Sequence, residues 1–395
     1  MPFLAEKLLP MTFTGGNKMV EISTRKIKKQ LLSEIETLKD KRGFLHAGLP
    51  RFNRLFGRDA IISAWQLLNI DPEIAKNTIK VLVEYQGDTV NNENEEEPGK
   101  IIHEAKGYFP YNYYGAVDTT PLFVILAGFY LRKTKDEKFI KDNWQFIRRA
   151  AKWLINYGDK DNDLFIEYQP KNFGGLFHQG WKDGFKDHLK IEPPIDIVEA
   201  QGYTYLAFKE AAEMAKLVND EQLAETFADK AKALKEKFNQ VFWMSDRKYF
   251  CLGLDRYRKQ RKAITSNPGH LLFTGIVDDE RTDSVVSRLF GRDLWTAFGI
   301  RTHSTKEPDF NPLDYHLGSV WPHDNWIIAQ GLKKLGYKDE YQKIKAALLA
   351  AHAKIGFLPE FYGVVNNKIA QETEKKACYP QAWASAALLN FLSGR

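Results

Sequence analysis

The stretch FHQGWKDGFKDH (177–188) gathers two Asp, two Lys and two His around one Trp and two glycines, between segments with helical periodicity. Its carboxyls are Asp183 and Asp187. A carboxyl packed against an aromatic ring and shielded from water keeps its proton near neutrality, and so can act as a general acid. On an open loop the same residue would be a solvated charge. Similar mixtures recur in RFNRLFGRD (51–59), IIHEAKGYFPYNYYGAVD (101–118), AITSNPGH (263–270), NPLDYHLGSVWPHDN (311–325), GFLPEFYG (356–363) and KKACYPQAW (375–383). Trp and Tyr faces stack on sugar rings, while acids and amides exchange hydrogen bonds with hydroxyls. Brought together, these segments would make a carbohydrate cleft.

The elements that must carry them are helices of two alternating kinds. Residues 24–39 set Ile27, Leu31, Ile35 and Leu38 on one face, 137–157 stripe Ile140, Trp144, Ile147, Ala151 and Leu154, and 220–242 stripe Leu223, Phe227, Ala231, Leu234 and Phe238. Such stripes describe surface helices. DPEIAKNTIKVLVEY (71–85) opens on an Asp cap with Pro at the first helical position. Interleaved with these, GRDAIISAWQLL (57–68), TPLFVILAGFYL (120–131), 195–217, PGHLLFTGIV (268–277), SVWPHDNWIIAQGL (319–332) and PQAWASAALLNFL (380–392) are apolar on nearly every side. A helix that is apolar all round must be enclosed by other helices.

Six half-polar helices alternating with six apolar ones predict two concentric rings, an all-α (α/α)6 barrel. Every connection from an outer to an inner helix then lies at one end, and the aromatic and acidic loops are all connections of that kind. The opposite turns, such as LNIDPE and RKTKDE, are short and ordinary. A few short β-hairpins are expected in the mouth loops, with DLFIEY (163–168) as one arm and GVVNNKIA (363–370) folding about Asn-Asn. DKDNDLFIEYQP (159–170) starts like a calcium loop, but it lacks the sixth-position glycine and places Pro170 where the closing Glu belongs, so a turn into a strand is expected. NNENEEEPGK (91–100) is an acidic loop. The expectation is one barrel domain over 1–395, with 1–20 as an N-terminal extension.

Composition narrows the class. The net charge of +6 (57 Lys+Arg against 51 Asp+Glu) is spread along the chain, and the densest basic runs, RKIKKQ and RYRKQRK, are short. They read as solvated faces, so no nucleic-acid partner is expected. Cys251 and Cys378 are far apart and lack metal-ligand spacing, which argues against a zinc site or disulfide framework. FLAEKLLP is broken by charge and proline and makes a poor signal peptide, and no run is long enough for a bilayer. A cytoplasmic protein with no membrane partner, cofactor or metal, acting on a small carbohydrate, is expected; its oligomeric state is open.

The blocks GRDAIIS, GKIIHE, YYGAVDTTPLF, QGWKDGFKD, VEAQGY, SNPGHLLFTGI, FGIRT, YHLGSVWPHDN, LPEFYG and YPQAW resemble the catalytic domain of amylo-α-1,6-glucosidases. They are also similar to the processing α-glucosidases and the mannosylglycerate and glucosylglycerate hydrolases that share that barrel. The resemblance runs over roughly residues 50–390. It implies an inverting glycoside hydrolase, in which one carboxyl protonates the leaving oxygen and a second activates water from the opposite face, the two standing roughly 6.5–9.5 Å apart. By the family's pattern the acid is Asp183, with Asp187 the competitor in the same loop, and the base is Glu360.

The resemblance also implies substrate contacts from Arg58, Asp59, Glu104, Tyr114, Asp118, Gln179, Trp181, Gln201, Trp321, His323, Asp324 and Tyr362. Arg58 and Asp59 have an alternative as a helix-capping pair, and His323 as a core histidine. The first helix is expected at about residue 24, which leaves no room for the N-terminal domain that debranching enzymes usually carry. A small α-glucoside, with α-1,6-linked glucose first, is therefore expected over glycogen. A glycosylglycerate hydrolase is second, with Lys182, Arg54, Arg301 or Lys186 meeting the carboxylate. Two other classes are a non-catalytic glycan-binding barrel and an epimerase using two of His303, His316 and His323.

Overall fold

The computed structural model describes residues 17–370 and 372–393. Most of the expected N-terminal extension therefore lies outside the described residues. Twelve α-helices are found among them: α1 (Asn17–Leu38), α2 (Gly57–Leu67), α3 (Pro72–Glu84), α4 (Thr119–Thr134), α5 (Glu137–Trp153), α6 (Val198–Leu217), α7 (Glu221–Val241), α8 (Leu271–Thr274), α9 (Asp279–Leu289), α10 (Pro322–Leu335), α11 (Lys338–Ile355) and α12 (Ala382–Ser393). The even-numbered helices pack side by side in chain order, and α12 returns to α2, which closes an inner ring. The odd-numbered helices cover it. This is the (α/α)6 barrel.

Burial follows the two sequence patterns. In α4 every residue from Thr119 to Gly128 is buried, whereas α7 buries Phe227, Ala231, Leu234 and Phe238 and leaves Lys and Glu outside. The first helix begins at Asn17, earlier than the stripe alone indicated, and it buries Leu31, Ile35 and Leu38. Inner-to-outer turns are at most four residues long. Three of them end in an Asp whose carboxylate accepts from the next helix: Asp71 from the Glu73 N–H, Asp136 from Phe139 and Asp220 from Leu223. Each cap satisfies an orphan donor at the start of an outer helix. The long connections gather at the other end, where they build the mouth.

Two expectations about mouth hairpins have different outcomes. Val364–Val365 pairs with Lys368–Ile369, and Asn366 and Asn367 both take left-handed backbone (φ 49° and 57°), as the tight turn requires. DLFIEY is not a hairpin arm. The side-chain amide of Gln201 accepts from the Ile166 N–H (2.9 Å) and donates to its carbonyl (2.7 Å), so a side chain holds this segment where a strand would. The preceding turn closes on Asp159, whose carboxylate accepts from the Asp163 and Leu164 N–H groups. No helix among the described residues is long and apolar enough to cross a membrane.

Inner helices approach closely where glycine lies between them. A Cβ on Gly331 of α10 would stand 2.5 Å from the Leu272 Cβ and 2.7 Å from the Phe273 backbone nitrogen. Gly331→Ala is expected to lower stability by about 1–3 kcal/mol through overpacking. Urea denaturation measures this, and an unchanged midpoint would show that α8 and α10 can separate freely.

Candidate active site

A cavity of about 460 Å³ opens at the mouth, and both Asp183 and Glu360 line it. Asp183 sits in a loop closed on itself by backbone hydrogen bonds between His178 and Gly184. Two buried neighbours hold the loop down. Trp181 packs among Trp321, His270 and His323, and the Lys182 ammonium donates to the Thr302 carbonyl (2.7 Å). Asp187 is tied elsewhere, to His178 Nε2 (2.9 Å) and the Ile191 N–H (3.1 Å), and does not reach the cavity. Of the two acids of this loop, only Asp183 lines the cavity.

Arg58 organises the floor. Its Nε and Nη2 fork onto Asp118 (2.8 and 3.0 Å), Nη1 reaches Asp183 Oδ2 (2.9 Å), and Nη2 also donates to the Gly180 carbonyl (2.9 Å). Burial raises the Asp183 carboxyl above the ordinary range; the Arg58 charge opposes this and Asp118 adds to it. Asp59 is pushed up to about 8, first by burial and then by the negative charges of Glu360 and Asp183. It therefore holds its proton at neutral pH and can donate to a ligand. Neither Arg58 nor Asp59 serves as the side-chain cap of α2.

Glu360 stands across the cavity with only 1 % of its side chain exposed, against 28 % for Asp183. The Tyr315 hydroxyl donates to Oε1, while Arg51 Nη2 (3.1 Å) and the Cys378 N–H (2.9 Å) donate to Oε2. Burial raises this carboxyl too; the three donors counter it, and the Asp183 charge adds to it. Trp181, Trp321 and Trp383 form the apolar wall. The indole N–H groups of Trp181 and Trp383 are buried and have no acceptor among the described residues. The arrangement supplies two carboxyls, one proton-bearing acid and stacking faces.

Of the residues singled out from sequence, Arg58, Asp59, Glu104, Trp181, Asp183, Trp321 and Glu360 line the cavity. The others stand behind its wall. Asp118 is consumed by Arg58. Tyr114 donates to the Tyr85 carbonyl (2.9 Å) and Tyr362 to that of Phe298 (2.7 Å). Gln179 donates to Glu95 (2.6 Å), and Gln201 holds Ile166. Asp324 pairs with His270 (2.8 Å), and His323 is fully buried, stacked on Trp383 at 3.8 Å. Each is satisfied by, or packed against, the protein interior, which is the correction to a direct-contact role.

Among the cations considered, Arg54 lines the cavity on Glu104 (2.7 Å). Lys182 and Arg301 are buried on backbone carbonyls, and Lys186 lies outside. Of the three histidines considered for an epimerase only His316 lines the cavity, where His103 also stands. Sequence reasoning missed Arg51, Tyr315, Trp383 and Lys375. All four fall inside loops already marked by their aromatic and acidic content, and that was the available signal.

The model of the mannosylglycerate hydrolase MGH1-like glycoside hydrolase domain matches residues 55–366, and the chain belongs to that family. A mannosylglycerate hydrolase from Rubrobacter radiotolerans is 25 % identical over 160 residues, 39 % of this chain and 36 % of the relative. The mannosylglycerate hydrolase MGH1 of Selaginella moellendorffii is 33 % identical over 110 residues, 27 % of this chain and 22 % of the relative. The aligned stretches thus span about a third or less of those relatives. Among solved structures, the GH63 mannosylglycerate hydrolase from Thermus thermophilus in complex with Tris superposes with a TM-score of 0.72 at 13 % identity, covering 93 % of this chain and 100 % of that one. Its complex with glucose gives 0.72 at 14 % identity over the same shares. These structures establish the shared fold.

Arg58→Ala removes the cation from between buried carboxylates, and the expected loss is about 3–5 kcal/mol of stability. Chemical denaturation measures it. A loss below about 1 kcal/mol would mean that the pairing of Arg58 with Asp118 and Asp183 is not a net stabiliser of the fold.

Proposed function

We propose that this chain is an inverting glycoside hydrolase that releases a hexose from a glycosylglycerate. Asp183 is the general acid that protonates the glycosidic oxygen, and Glu360 is the general base that activates water on the opposite face. Asp59, protonated, donates to a sugar hydroxyl, and the Trp181 and Trp383 rings pack against the sugar. The sequence resemblance put an α-1,6-glucosidase first. The matched family and relatives sit nearer the glycosylglycerate reading, and one feature of the cavity supports it.

That feature is cationic. Arg51, Arg54 and Lys375 line the same small cavity as the two carboxyls. Arg51 and Arg54 already pair with Glu360 and Glu104. Lys375 has no carboxylate within ion-pair distance among the described residues; its ammonium stands 4.2 Å from the Tyr315 ring centroid. A neutral dextrin offers these cations nothing, whereas a glycerate carboxylate matches an unpaired ammonium.

The direct test is NMR-monitored digestion of mannosylglycerate, glucosylglycerate, isomaltose and panose. Cleavage of a glycosylglycerate with first appearance of the inverted anomer is expected; cleavage of isomaltose alone would overturn the substrate. Asp183→Asn and Glu360→Gln should each cut turnover by about 10²–10⁴-fold with folding intact. Lys375→Met should raise KM for the glycerate substrate about tenfold, a loss of about 1.4 kcal/mol, with kcat little changed.

The pH profile should respond to Arg51. Its charge helps keep Glu360 ionised, so removing it raises the Glu360 pKa, and the base becomes available only at higher pH. The acidic limb of kcat/KM in Arg51→Met is therefore expected to move upward by about one pH unit or less. A downward shift would remove Glu360 from the role of base.

A further inference from the structure

The fourth helical hairpin is much the shortest. Its inner helix α8, with the preceding one-turn 3₁₀ segment Asn267–His270, spans eight residues, where α6 spans twenty and α10 fourteen. Beyond Gly275 the inner ring has no fourth member, so the C-terminal halves of α6 and α10 lose the neighbour that would cover them. The result is a cleft of about 1130 Å³, walled by α4, α6, α7 and α10. It shares no residue with the mouth cavity.

The cleft is charged in one direction. Seven Lys and Arg line it against four Asp and Glu. At its centre Glu210 pairs with Arg132 and also feels Lys209 and Lys334. Lys334 in turn is disfavoured as a cation by burial and by the charges of Lys209, Arg132 and Lys235. Three cations thus act on one buried carboxylate, and Lys235 adds its charge beside Lys334. Lys235 and Lys334 donate to the carbonyls of Gly275 and Phe273, which carry no charge to offset theirs. Lys209 and Lys232 have no carboxylate within ion-pair distance among the described residues.

Helix dipoles account for part of this. Arg132, Lys216 and Lys334 lie in the last turns of α4, α6 and α10, where cations offset the negative helix end. Lys209 in mid-α6, and Lys232 and Lys235 within α7, have no such role. Apolar wall is present as well: Trp65, Phe129 and Phe273 form a contiguous aromatic group along the cleft. A volume of this order accommodates a metabolite-sized molecule.

We propose that this cleft is a binding site for an organic phosphate: a small molecule whose phosphates bear two or more negative charges, set among Lys209, Lys232, Lys235 and Lys334, with a ring seated on Trp65 and Phe129. Such a ligand relieves the repulsion among the lysines and replaces the missing turns of the fourth inner helix as cover for α6.

Isothermal titration of the full chain with ATP, inorganic tripolyphosphate, adenosine and sulfate tests it. ATP is expected to bind with an affinity that falls as salt is raised, tripolyphosphate more weakly, and adenosine and sulfate not measurably. The double variant Lys209→Glu/Lys232→Glu, on exposed side chains, should weaken ATP by about tenfold or more with an unchanged melting curve. Phe129→Leu should weaken ATP and leave tripolyphosphate unaffected. The site is overturned if ATP binds no better than sulfate at equal ionic strength, or if the double variant binds ATP as well as the parent. Displacement of ATP by a ligand of the mouth cavity would also overturn it.

Discussion

One buried guanidinium carries the mouth of this barrel. Arg58 enters from the start of α2 and is met by Asp118 from the start of α4 and by Asp183 and the Gly180 carbonyl from the following long loop. Taking a charge out of water costs several kcal/mol per ion, and only close pairing with full hydrogen bonding offsets it. The first, second and third hairpins therefore have to converge on Arg58 if any of them is to bury its charge. Once they do, the loop bearing Asp183 has a fixed distance from the ring. Asp59 follows from the same arrangement. Burial, with the nearby charges of Glu360 and Asp183, outweighs the favourable charge of Arg58, so this carboxyl keeps its proton.

The opposite wall solves a different problem. Glu360 is more deeply buried than Asp183 and is surrounded by donors, from Tyr315, Arg51 and the Cys378 backbone. Donors favour the ionised form and burial the neutral one. Asp183 has a cation on one side and the open cavity on the other. Two acids of ordinary type are thus placed in unlike settings, one held among hydrogen-bond donors and one facing the space a leaving group would occupy. Unlike settings are what an acid–base pair needs to divide its labour.

The ring is complete at the mouth and incomplete below it. At the mouth the cavity is lined by α2, α12 and the long connections that precede α2, α4, α6, α10 and α12. Away from the mouth the fourth inner helix stops early and leaves a basic cleft. The two features are independent: shortening one hairpin from its turn end removes wall without disturbing the loops at the other end, because each connection lies wholly on one side.

The helical alternation was legible residue by residue, since an enclosed helix must be apolar on every side and a covering helix on only one. The order of rings, the end at which the aromatic and acidic loops gather, and the loops bearing Asp183 and Glu360 followed from that pattern with the family resemblance. What the chain pattern did not disclose was which polar side chains face the cavity. Gln201, Asp324 and Tyr362 lie in or beside the same loops as true lining residues, yet each turns inward to a backbone or side-chain partner. Arg51, Tyr315 and Lys375 turn the other way. A loop has no period, so direction is set by whichever distant partner satisfies each polar atom, and that partner exists only once the ring has closed.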